Sequence, residues 1–197
     1  AVSAIWFGTG LLGESGTEAL KTGAYLVILC VLFDKVDGFA ARSLKASSEF
    51  GAQFDSLADL IAFGIAPATI VVYTYKEFAS EWYAANSYLV LAGAGFYVIT
   101  AAMRLAKYNV LDANTVPGEK PTSYFGGLPS PMSGGAAVLF PFLFQKYDGF
   151  EHESLIKLPL IVLAFLGVLM VSKFLFPKVK GRKNKIGNLA QMIGIVV

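Results

Sequence analysis

Four aspartates at two short stretches carry the chemistry this chain can do. Asp34 and Asp37 stand in Asp34-Lys35-Val36-Asp37-Gly38-Phe39-Ala40-Ala41-Arg42, and Asp55 and Asp59 in Gly51-Ala52-Gln53-Phe54-Asp55-Ser56-Leu57-Ala58-Asp59. Both stretches border apolar runs, where an unpaired carboxylate costs roughly 3 kcal/mol or more. On helices, Asp34 and Asp37 (i, i+3) share one face and Asp55 and Asp59 (i, i+4) share another. A short connection makes the two helices antiparallel neighbours, so the four carboxylates are expected to converge at one depth near a membrane interface. Four like charges there repel one another, and divalent cations remove that penalty. An all-oxygen set suits Mg2+, Mn2+ or Ca2+ rather than zinc. Cys30, inside an apolar run, reads as a small core residue, and His152, the only histidine, lies in an acidic loop on the opposite side. Gly38, Ala41 and Gly51 would let a bulky group approach the backbone, and the fork of Arg42 can grip phosphate oxygens. Taken singly, these are ordinary helix packing and an interfacial arginine; the complete set calls for a site.

The elements that must position this set are membrane helices. The 197 residues are 55% hydrophobic and 15% charged, with a mean hydropathy of +0.60. Soluble domains carry nearer a quarter charged residues, so an all-α polytopic membrane bundle of about six to seven transmembrane helices is expected. Residues 1–12 read as the stub of a first segment, with no basic leader before them. Further segments are expected over Leu20–Ser43, Phe54–Tyr75, Asn86–Tyr108, Leu128–Gln145 and Leu155–Phe176. The apolar tail Ile186–Val197 either begins a seventh span or lies on the membrane surface. No soluble domain and no internal repeat stand out, so residues 1–197 are taken as one membrane domain.

Loop charge orients the bundle. If the helices alternate, the junctions around 42–53, 104–127 and 173–185 share one side, which holds Arg42, Lys45, Arg104, Lys107, Lys120 and the basic stretch Lys178–Lys185. The other side holds Lys21, Lys76, Lys146 and Lys157 and most loop acids, among them Glu14, Glu18, Glu77, Glu81 and Asp148. The positive-inside rule puts the first side, and the aspartates with it, in the cytoplasm. A net charge of +2 gives no argument for nucleic acid as a partner, and none is expected. The basic face would attract anionic lipid head groups.

The acidic stretch reads D-x2-D-G-x2-A-R-x8-G-x3-D-x3-D, and in this it resembles the CDP-alcohol phosphatidyltransferase family at eight fixed positions. The resemblance implies a six-helix membrane core, usually a homodimer, in the cell membrane of a prokaryote with the site facing the cytoplasm. It implies two divalent cations, Mg2+ or Mn2+ with Ca2+ also admissible, at Asp34, Asp37, Asp55 and Asp59. The CDP-lipid would be held around Asp34, Asp37, Gly38, Ala41, Arg42, Ser48 and Gly51, and Asp59 would be the general base. Three further segments resemble the phosphatidylserine synthase branch: Met103-Arg104-Leu105-Ala106-Lys107-Tyr108-Asn109, Phe125-Gly126-Gly127-Leu128-Pro129-Ser130-Pro131, and Met170-Val171-Ser172-Lys173 with Phe176-Pro177. That branch implies CDP-diacylglycerol or CDP-archaeol as donor and L-serine as acceptor. The carboxylate of serine needs a cationic donor, for which Arg104, with Lys107 and Asn109, is the candidate; the competing reading of Arg104 is an interfacial anchor. Pro129 and Pro131 should shape the entry to the fifth helix.

Two alternatives stay open. The acceptor could be glycerol phosphate, inositol phosphate or another alcohol, with Arg104, Lys107 and Lys120 as the basic cluster. Intramembrane carboxylates also mark ion pathways, which gives a divalent-cation channel or transporter as a reading from another class.

Overall fold

The computed structural model describes residues 5, 16–44, 49–113, 124–147, 149–152, 154–172 and 175–177, with backbone alone at 35–44, 49, 52, 111–113, 124–126, 151 and 175–177. The expected segments 1–12 and 186–197 lie outside the described residues except for Ile5.

The described chain is a helical bundle. Helix α1 spans Gly16–Leu44 and α2 spans Glu49–Asp59. A π-helical turn, Leu60–Ile65, joins α2 to α3, Ala66–Phe78. Helix α4 runs Ser80–Ala113 with a break at Asn86, whose φ of −128° and ψ of 23° are not helical. Helices α5 (Ser130–Lys146) and α6 (Leu158–Val171) follow. Two three-residue strands, β1 (Tyr124–Gly126) and β2 (Leu175–Pro177), pair antiparallel. Among the described residues three stretches are long and apolar enough to cross a membrane, Gly16–Asp34, Gln53–Phe78 and Ser80–Val110; α6 is apolar but shorter.

Two segments differ from the expected spans. Phe54–Tyr75 is not one α-helix. Pro67 has no N–H to offer the carbonyl four residues before it, and its ring crowds that carbonyl. The chain answers with a π turn, in which Ala66 N–H bonds to Ile61 O, five residues back. The helix of the sixth segment ends at Val171, and residues Leu175–Pro177 form β2.

Packing explains the order of the helices. The main core joins α3, α4, α5 and α6 through Val71, Tyr75, Val90, Ala94, Tyr97, Ala101, Ala137, Leu163, Leu166 and Met170. Helix α1 packs on α3 and α5 through Leu20, Ala24 and Val27 against Ala66, Ile70 and Val138. At one end Tyr75 ties α3 to α6: its hydroxyl donates to Ile156 O at 2.8 Å and accepts from Leu160 N–H at 3.1 Å. Outward-facing Leu29, Leu32 and Phe33 on α1, and Ile161, Phe165 and Val168 on α6, give the apolar exterior that acyl chains would solvate.

Candidate active site

Helix α2 positions the second acidic pair. Asp55 is exposed and Asp59, at the last position of α2, is partly buried. Asp34 is partly buried on α1. Asp37, Gly38, Ala41 and Arg42 fall on the α1 backbone, their side chains outside the described residues, as is Ser48 altogether. Gly51 lies in the first turn of α2 and is exposed. Among the described residues no three His, Cys, Asp or Glu side chains gather around a cation position; the four-carboxylate set includes Asp37 and so reaches beyond them. Its carboxylate oxygens suit a hard divalent cation in chemistry.

Helix α4 brings the second motif against α2. Asn109 accepts a hydrogen bond on Oδ1 from Ser56 Oγ at 3.1 Å and reaches Gln53 Oε1 with Nδ2 at 3.4 Å. Ser56 stands between the two aspartates, so this pair pins the acidic face of α2 to the end of α4. Further back on α4, Arg104 lies within reach of the charge on Asp59. Its Nη1 donates to Ser130 Oγ at the start of α5, and Ser130 is 1% exposed. Arg104 therefore turns into the bundle, where a purely interfacial anchor would reach outward for the head groups. Its Nε is buried and has no hydrogen-bond partner among the described residues. A buried guanidinium N–H without a partner is costly, and an oxygen acceptor placed there would satisfy it. Lys107 and Tyr108, in contrast, are exposed.

The remaining two motifs form one structural unit that delivers Ser130. Strand β1 pairs with β2 in the register Tyr124↔Pro177, Phe125↔Phe176 and Gly126↔Leu175. Leu128 N–H then bonds to Leu169 O at 3.1 Å. Gly127 makes the turn between them at φ +85°, and a Cβ there would stand 2.3 Å from the carbonyl oxygen of Met170. Only glycine fits this conformation and this approach together. Pro131 enters the first turn of α5, where its missing N–H is no loss, and Ser133 N–H bonds back to Pro129 O at 3.0 Å.

Arg104 and Asn109 are thus brought to the acidic helix, while Gln53, Ser56 and Ser130 are partners that spacing alone does not single out. Ser56 and Asn109 are 53 positions apart, and Arg104 and Ser130 are 26 apart. Their only trace in the sequence is a small polar residue inside each motif.

Comparisons with known proteins place the chain in a family. The family model described as CDP-alcohol phosphatidyltransferase matches residues 2–196. The chain is 34% identical over 178 residues to a CDP-diacylglycerol–serine O-phosphatidyltransferase of Helicobacter pylori, covering 90% of this chain and 70% of the relative. It is 34% identical over 170 residues to the protein of the same name from Methanocaldococcus jannaschii, covering 86% and 68%. It is 32% identical over 165 residues to an archaetidylserine synthase of Methanothermobacter thermautotrophicus, covering 83% and 61%. With a matching model over nearly its full length and these relatives, the chain belongs to the CDP-alcohol phosphatidyltransferase family.

Proposed function

We propose that the chain transfers the phosphatidyl group of CDP-diacylglycerol, or of its ether-lipid equivalent, to the hydroxyl of L-serine and releases CMP. The observation that supports the choice of acceptor is Arg104, held by Ser130 and within the electrostatic reach of Asp59, with a buried Nε that has no hydrogen-bond partner among the described residues. A guanidinium with a free N–H suits the carboxylate of an amino acid and places it next to a candidate base. The names of the relatives in H. pylori and M. jannaschii support serine, and that of the M. thermautotrophicus relative supports an ether lipid.

In this reading Arg104 binds the serine carboxylate and aims the hydroxyl at the phosphorus bearing the lipid. Asp59 accepts the hydroxyl proton as the new oxygen–phosphorus bond forms. The bond between that phosphorus and the bridging oxygen breaks, and CMP carries the electron pair away. Asp34, Asp37, Asp55 and Asp59 would hold two divalent cations, Mg2+ or Mn2+, which supply charge neutralisation for the pyrophosphate and the leaving oxygen. Gly38, Ala41, Arg42, Ser48 and Gly51 would surround the CDP moiety. Residues 1–197 act as one membrane domain, as a homodimer in a prokaryotic cell membrane, with the site on the cytoplasmic side.

The test is CMP release from CDP-diacylglycerol in detergent with Mg2+ or Mn2+. Serine, glycerol 3-phosphate, inositol 1-phosphate and no acceptor are compared. Serine-dependent release that chelation abolishes is expected; release with another alcohol alone would replace the acceptor, and cation flux in liposomes without CDP-lipid would replace the enzyme reading.

A further inference from the structure

Tyr97 is a fully buried polar side chain that the proposed reaction leaves unused. It lies on α4 with 0% exposure, and its hydroxyl donates to the carbonyl oxygen of Phe63 at 3.0 Å. Phe63 sits inside the π turn, four residues before Pro67, so it is the carbonyl whose ordinary helical donor is missing. A phenol has one proton. Since the carbonyl takes it, the 3.1 Å contact between Tyr97 and Ser133 on α5 must be Ser133 donating to Tyr97. Ser133 is itself fully buried. From the other side Gly134 meets the same turn, and a Cβ there would stand 3.0 Å from Phe63 Cα. The π turn is therefore cradled by α4 and α5 at the residue where the helix lost a hydrogen bond.

The turn directly follows Asp59. A π turn places one extra residue in the helix, and one residue is roughly 100° of rotation about the axis. Relative to an unbroken helix, the face of α2 bearing Asp55, Ser56 and Asp59 is turned by that amount with respect to α3. This turned face is the one that bonds to Asn109 through Ser56 and brings the charge of Asp59 within electrostatic reach of Arg104. We infer that Tyr97 is a positioning residue for the reaction: by supplying the donor that Pro67 withholds from Phe63, it maintains the π turn and so aims Asp59 at the Arg104 pocket. Its importance for turnover rests on the reading of Asp59 given above; its control of the rotation of α2 does not.

The experiment uses the full chain in detergent, as wild type, Tyr97→Phe and the double variant Pro67→Ala/Tyr97→Phe. In the double variant the carbonyl of Phe63 regains a backbone donor and the Ser133 hydroxyl can turn to the carbonyl of Pro129 four residues before it, so the protein can fold with an unbroken helix. Cysteines are placed at Ser56 or Leu57 in a Cys30→Ala background, and their rates of reaction with N-ethylmaleimide are compared. Ser56 is bonded to Asn109 and Leu57 is 61% exposed, so wild type should protect position 56 and leave 57 reactive. In the double variant protection should move by one residue, from 56 to 57. Tyr97→Phe should lose about 100-fold in kcat with the KM values for serine and CDP-lipid within twofold, the pattern of a misaimed reacting group. Protection remaining at 56 in the double variant overturns the inference, as does folded Tyr97→Phe with a kcat within twofold of wild type. If wild type releases no CMP with any acceptor, the proposed function has failed and the labelling pattern still decides the role of Tyr97 on its own.

Discussion

Replacing Arg104 by alanine separates acceptor binding from every other role this residue could have. Among the described residues the guanidinium bonds to Ser130, and its buried Nε–H has no partner. If that N–H binds the serine carboxylate, its loss removes a charge-assisted hydrogen bond, about 1.5–3 kcal/mol. At 1.4 kcal/mol per factor of ten, the serine concentration for half-maximal rate should rise about 10- to 100-fold. The KM for CDP-diacylglycerol should stay within twofold, because the proposed donor site draws on α1 and α2 and not on Arg104. Stability should change little. Ser130 loses one charge-assisted bond, about 1.5–3 kcal/mol, while the comparable cost of the buried, unmet N–H disappears with the side chain. Arg104→Lys is the companion variant: it keeps the charge near Asp59 but lacks the fork, so it should recover only part of the serine affinity. The assay is CMP release against serine concentration at saturating donor, with thermal unfolding measured on the same preparations. An unchanged serine KM in folded Arg104→Ala refutes the reasoning, and so does an equal rise in both KM values.

Other outcomes follow from the same geometry. Asp59→Asn should lower kcat by about 10²–10⁴ while CDP-lipid binding, measured by equilibrium dialysis of CDP, persists. EDTA should abolish CMP release and added Mg2+ or Mn2+ should restore it, whereas activity surviving exhaustive chelation would remove the cations from the mechanism. Gly127→Ala should cost about 1–3 kcal/mol or more, read as a lowered unfolding temperature, because the new methyl meets the Met170 carbonyl in a backbone conformation that alanine avoids.

Much of this protein is local and therefore written in its sequence. Long apolar runs specify membrane helices because a bilayer leaves the backbone no other way to satisfy its polar groups. The i, i+3 and i, i+4 spacing of the aspartates follows from helix geometry alone, and the family signature rests on those same residues. Pro131 at the start of α5 and glycine at the turn of position 127 are likewise matters of single-residue backbone chemistry. What the sequence left open depends on contacts between distant segments. That Arg104 turns inward to Ser130 is one such contact, made across 26 positions of sequence. The motifs around Phe125 and Met170 read as separate signatures and become one unit only through strand pairing. Pro67 was visible in the sequence, but its effect was not. Whether a proline kinks, breaks or converts a helix is set by which neighbour can satisfy the freed carbonyl, and only the tertiary fold brings the Tyr97 hydroxyl to Phe63.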